Sequence, residues 1–129
     1  MRAQIIAISL LFIVSTAFAQ NTAKGFVFHD ANNNRLKEPA EKGIPEVAVS
    51  NGVEIVLTDE NGAYEIPVSD NAVIFVIKPR DWMTPLNEDN LPQFYYLHKP
   101  SGHPENFTYS GLGPTGDLPD EINFPLYPE

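Results

Sequence analysis

The sequence predicts an all-β fold, a small β-sandwich with a long ordered loop rich in proline and aromatic residues. Three observations predict it. Apolar residues between 24 and 78 recur with a period of two. Turn signals separate these runs at short intervals. No convincing 3.6-residue period occurs after the first nineteen residues.

The elements follow in order. Gly25 to His29 reads as a first strand with aromatics at 26 and 28. Val47 and Val49 alternate with small or polar neighbours in a second. Asn51-Gly52 is a two-residue hairpin signal, because both residues tolerate positive φ. Val53, Ile55 and Leu57 alternate on the next strand, and Asp59-Glu60-Asn61-Gly62 makes another turn. Tyr64, Ile66 and Val68 keep the same period. Ala72 to Ile77 is a continuous apolar run, as expected of a strand buried on both faces.

From Pro79 onward the chain changes character. Nine of its twelve prolines lie at or after that position, and proline removes a ladder donor. The segment still carries Trp82, Phe94, Tyr95, Tyr96, Phe107 and Tyr109, which predicts an ordered loop pegged down by aromatics rather than a solvated linker. Glu121 to Tyr127 alternates Ile122, Phe124 and Leu126 with polar residues or proline, and reads as a final edge strand.

The first residues read as an export signal. Arg2 supplies the positive start, Ile5 to Val14 the apolar stretch, and Ala17-Phe18-Ala19 the small-x-small cleavage pattern. Residues 1–19 are therefore expected to be removed, leaving one domain over 20–127. Its strands are expected over about 24–78, its loop over 79–119 and its last strand over 120–127. The apolar run is too short for a stable span, so no membrane span is expected after signal removal. The product is expected in the periplasm or outside a bacterial cell.

Charge and cysteine content exclude several functions. Seventeen acidic residues against eight basic ones give a net charge of −9, a surface that repels nucleic acid and anionic lipid. The chain has no cysteine, which removes disulfides, thiol catalysis and cysteine-based metal sites.

The loop after the first strand has cation-binding spacing. Asp30, Asn32, Asn34, Leu36, Glu38 and Glu41 occupy positions 1, 3, 5, 7, 9 and 12 of a loop. Alternate oxygen side chains converge at that spacing, position 7 offers its carbonyl, and a Glu at 12 closes the shell. Oxygen donors select calcium over a transition metal. Arg35 stands where glycine is usual, at a cost of about 1 kcal/mol for a left-handed backbone. Arg35 and Lys37 also offset the negative charge, so affinity is expected in the weak class of roughly 0.1–1 mM. The competing account is a turn whose Asp and Asn side chains cap their own backbone.

These residues carry a family resemblance. The stretch from Gly25-Phe-Val-Phe-His-Asp30 through Glu41-Lys-Gly43 to Ser50-Asn-Gly52 resembles the opening of calcium-binding B-type repeats of bacterial surface adhesins. Thr58-Asp-Glu-Asn-Gly62-Ala-Tyr64 is similar to an element of those repeats and of carboxypeptidase-regulatory-like, transthyretin-like domains. Pro92-Gln-Phe-Tyr-Tyr-Leu-His98-Lys-Pro-Ser-Gly102 and Pro114 to Leu126 resemble the N-terminal domain of exported bacterial calcineurin-like phosphoesterases. The resemblance covers roughly 24–127. It implies an Ig-like or transthyretin-like sandwich that serves as a non-catalytic accessory domain. The implied partner is a two-metal phosphoesterase domain, in cis or lost, absent from this chain.

No catalytic residue is assigned. Gly116-Asp117-Leu-Pro-Asp120 matches the G-D-x-x-D element of such enzymes by letter, but D-x-H upstream and G-N-H downstream are missing. His98, His103 and Glu105 match no ligand spacing. His98 and Lys99 are expected to hydrogen-bond the long loop. Phe94, Tyr95 and Tyr96, with His98 and Lys99, are the candidate ligand or partner contacts, weighed against burial of the aromatics on the sandwich. Asn106-Phe107-Thr108 is a glycosylation sequon, relevant only in a eukaryotic secretory route. Three functions compete: a module of an exported phosphoesterase, a free-standing calcium-stabilised surface or adhesion module, and a hydrolase in its own right.

Overall fold

The computed structural model describes residues 21–102 and 113–129. The signal segment, His103, Glu105, the sequon and Tyr109 lie outside the described residues. Among the described residues there are eight strands and no helix, so none that is long and apolar enough to cross a membrane.

The strands are β1 (Asn21–His29), β2 (Ala48–Ser50), β3 (Ile55–Leu57), β4 (Ala63–Val68), β5 (Ala72–Ile77), β6 (Trp82–Met83), β7 (Tyr95–His98) and β8 (Phe124–Pro128). They form two four-stranded sheets, ordered β4-β1-β8-β6 and β3-β2-β5-β7. The core lies between them. Ala23 and Val27 of β1, Tyr64, Ile66 and Val68 of β4, and Phe124 and Leu126 of β8 meet Val49 of β2 and Ile74 and Val76 of β5. The all-β sandwich is as the sequence predicts.

β4 follows its sequence pattern: Tyr64, Ile66 and Val68 are buried while Glu65 is exposed. The Tyr64 hydroxyl donates to the Ile122 carbonyl at 2.6 Å, and burial pushes its phenol pKa up. β1 pairs antiparallel with β4 and parallel with β8, so the first and last strands are neighbours.

Four elements differ from expectation. Asn51-Gly52 does not make a two-residue turn. Ser50 pairs with Ile55, so four residues form the loop, closed by Asn51 Oδ1 accepting from the Val53 and Glu54 amides. The alternation on β3 is real, but Ile55 and Leu57 face solvent while Val56 packs on the core. β5 is buried on one face only: Ala72, Ile74 and Val76 point inward, and Val73 and Ile77 are exposed. β8 is not an edge, because the short β6 pairs with it through Trp82↔Pro128 and Met83↔Tyr127. That pairing stops before Pro125, whose missing N–H therefore breaks no ladder bond to β6.

The proline-rich segment also supplies β7, which pairs with β5 from Ala72↔His98 to Phe75↔Tyr95. Its four residues are proline-free and sit between Pro92 and Pro100, so the prolines bracket the strand without entering it.

Candidate functional site

The 30–41 loop leaves β1 and folds back over the outer face of its own sheet. Phe28 is fully buried yet lies outside the inter-sheet core, because β1 alternation turns it away from Val27. The loop provides its cover. Lys37 Nζ stands 5.6 Å from the Phe26 ring centroid and 6.0 Å from that of Phe28. The same ammonium donates to the Glu38 and Glu41 carbonyls at 2.9 and 2.8 Å.

Asp30 anchors the loop. It is 1% exposed, and its carboxylate accepts from the Asn34 amide at 3.2 Å, the Arg35 amide at 2.8 Å and the Tyr127 hydroxyl at 2.7 Å. Burial alone would raise its pKa. The hydrogen bonds, Tyr127 foremost, outweigh burial and hold it below the ordinary 3.8. Tyr127 moves the other way: burial, then the hydrogen bond to Asp30 and its charge, push the phenol up to about 12. Arg35 adopts φ 63°, the left-handed backbone expected at that position, and its guanidinium donates to the Leu86 carbonyl.

The other predicted ligands surround Asp30 but are engaged with one another. Glu38 accepts from the Asn32 and Asn34 side-chain amides at 2.6 and 3.1 Å. Asn32 and Asn34 Oδ1 accept from the Asn34 and Leu36 amides. Glu41 accepts from the Ala31 and Glu38 amides, both at 3.1 Å. Among the described residues, no group of three or more His, Asp or Glu side chains is placed to hold a metal ion. The residues that would hold a calcium ion are Asp30, Asn32, Asn34, Glu38, Glu41 and the Leu36 carbonyl, and the side-chain oxygens among them already accept hydrogen bonds from within the loop.

The 94–99 group is split by strand alternation. Phe94 and Tyr95 are exposed and make an edge-to-face pair at 5.3 Å between centroids. Tyr96 packs on the core. Lys99 bonds the later loop through its main chain, donating to Thr115 Oγ1 at 2.8 Å and accepting from the Thr115 amide at 2.9 Å. His98 is 1% exposed, and among the described residues neither ring nitrogen has a partner; residues 103–112 of the loop expected to bond it lie outside the described residues. Asp117 and Asp120 are exposed, and Leu118 between them packs against the core, so the G-D-x-x-D letters here serve a surface turn pinned by Leu118.

Residues 30–112 match the family described as the N-terminal of calcineurin-like phosphoesterase. The chain belongs to that family. No curated protein matches it. The stretch matched to this phosphoesterase N-terminal family starts at Asp30 and takes in the loop, β4 and all of the β3-β2-β5-β7 sheet. A catalytic partner domain in cis is what membership of the phosphoesterase N-terminal family implies.

Three features escaped the sequence reading. The Tyr127 donor on Asp30 lies 97 residues away, with no local signal. The Lys37 cover on Phe26 and Phe28 needs the fold of the loop. The exposed apolar face of β3 and β5 had no local signal, because alternation at 55–57 and an all-apolar run at 72–77 both read as buried strands.

Proposed function

We propose that this chain is the exported, non-catalytic N-terminal module of a metal-dependent phosphoesterase, which it supports by packing against the catalytic domain. The observation that carries this reading is the family match over residues 30–112. The test assays the purified chain on p-nitrophenyl phosphate with manganese. No turnover is expected. Hydrolysis that survives purification and is lost in Asp117→Asn would revive the hydrolase reading. Mass spectrometry of the protein from the periplasm or medium should find Gln20 at its N-terminus.

A second reading concerns the 30–41 loop as a weak calcium site that stabilises a surface module. Main-chain donation from Asn34 and Arg35 to Asp30, with Arg35 in the left-handed region, favours it. A thermal melt in EDTA and then in roughly 5 mM calcium, above the weak affinity class, tests it by linkage. A rise abolished by Asp30→Asn supports the site. An unchanged midpoint leaves the loop a self-capped turn.

A further inference from the structure

The two outer faces of the sandwich are treated differently. On the β4-β1-β8-β6 sheet, Thr22, Lys24 and Glu65 are polar and exposed, and Phe26 and Phe28 lie under the Lys37 loop. Among the described residues, the β3-β2-β5-β7 sheet has no such cover. Register places Leu57, Ala48 and Ile77 in one outward row, Ile55, Phe75 and Tyr95 in the next beside a Ser50 that is buried under its own hairpin loop, and Val73 with Leu97 in a third. Ile55 and Leu57 are 64% and 63% exposed. None of these residues is charged, in a chain with 17 acidic side chains. The hairpin tip adds Val53, and Phe94 extends the surface beside Tyr95. Charge returns only beyond the strand ends, at Glu46, Glu54, Asp59, Lys78 and Lys99. A charge-free apolar centre that includes aromatics, with charge at the margin, is the composition of a protein interface.

We propose that the outer face of the β3-β2-β5-β7 sheet is the surface on which the phosphoesterase domain docks, through an apolar, uncharged patch of its own. This rests on the module reading above and assigns its contact face. Patch area decides between the candidate occupants. Strand spacing of about 4.8 Å and same-face rows about 6.7 Å apart give a face on the order of 400 Å². A stable complex of separate chains buries about 800 Å² on each partner, so the face is half of what a dimer of this chain needs. Interfaces between domains of one chain start near 600 Å² in total, about 300 Å² a side. Covalent linkage raises the effective concentration to roughly millimolar, which lets so small a face hold its partner.

The test measures binding of the chain to the separately expressed phosphoesterase domain of the same protein by NMR titration up to roughly millimolar concentration, the effective concentration of a linked domain. Leu57→Lys with Ile77→Glu places charges on the face, and Thr22→Lys is the control on the other sheet. Circular dichroism confirms that each variant melts within a few degrees of the parent. The expected result is weakening of at least tenfold in the double variant and no change in the control. If the parent chain binds and the double variant binds equally, the face is wrong while the module reading stands. If the parent chain does not bind at that concentration, the docking face is overturned, while the module reading still rests on the family match and is tested by the phosphatase assay above. If the parent chain sediments as a dimer at micromolar concentration and the double variant as a monomer, the occupant is a second copy and the proposal is overturned.

Discussion

The Tyr127 hydroxyl donates to the Asp30 carboxylate at 2.7 Å, joining the last strand to the first loop across 97 residues. Asp30 is thereby held from both sides, by the amides of its own loop and by a phenol delivered from β8. Tyr127→Phe removes the phenol donor and leaves the ring. The expected loss is about 1–2 kcal/mol, since the acceptor is charged and buried while the donor is partly exposed. Urea unfolding at neutral pH measures it, and a variant as stable as the parent would show that the bond contributes nothing.

The same pair contributes at both pH limits of stability, joined at the alkaline end by Tyr64, whose phenol burial also pushes up. Asp30 has a lower pKa folded than unfolded. Its contribution is complete above the ordinary value of 3.8 and is lost as pH falls through the lowered value. Tyr127 has a raised folded value, about 12 against 10.0, so its contribution is complete below 10 and lost as pH rises towards 12. Unfolding midpoints from pH 2.5 to 11.5 should fall at both ends. Asp30→Asn should flatten much of the acid limb, and an unchanged limb would assign it to other carboxylates.

Gly43→Ala should prevent stable folding. Gly43 forms an isolated bridge with Phe28, and a β-carbon there would collide with the backbone carbonyl of Asn61. Gly62, at φ 75°, lies against the same point with its own α-carbon side facing Gly43. Backbone atoms have no rotamer escape, so the cost is expected at several kcal/mol, in the upper tail of single substitutions. A cooperative melt within a few degrees of the parent would contradict this close approach.

His98→Leu should be neutral or stabilising. The ring is buried, its residue pairs with Ala72, and its nitrogens have no partner among the described residues. An unpaired buried polar group costs about 1–3 kcal/mol, which an apolar side chain of similar size avoids. A loss of more than about 1 kcal/mol would mean that the imidazole has a hydrogen-bond partner after all.

Much of this fold was legible where local pattern and burial agree. Tyr64, Ile66 and Val68 could be placed because their period of two coincides with the core face. The left-handed Arg35 followed from its position in a spaced loop. Legibility failed where tertiary context sets the phase. Ile55 and Leu57 alternate as well as any core strand, yet the ladder from β2 turns Val56 inward instead. Proline density concealed β7, because four clean residues between Pro92 and Pro100 carry little signal. Of the candidate site, spacing revealed the residues around Asp30. It did not reveal that Asn32 and Asn34 turn their amides to Glu38, since that choice depends on side-chain rotation.

The parallel pairing of β1 with β8 has a kinetic consequence. Val27 finds Phe124, and His29 finds Leu126, only when the far end of the chain is present. Every hairpin between them can form early, but the sheet that holds β1 stays unfinished on one side. Such long-range closure is slow, because the loop entropy must be spent before the contacts form. The chain therefore remains open until its last strand has joined β1, and a chain shortened before Phe124 would display Tyr64, Val27 and the underside of β1 to any chaperone or protease in reach.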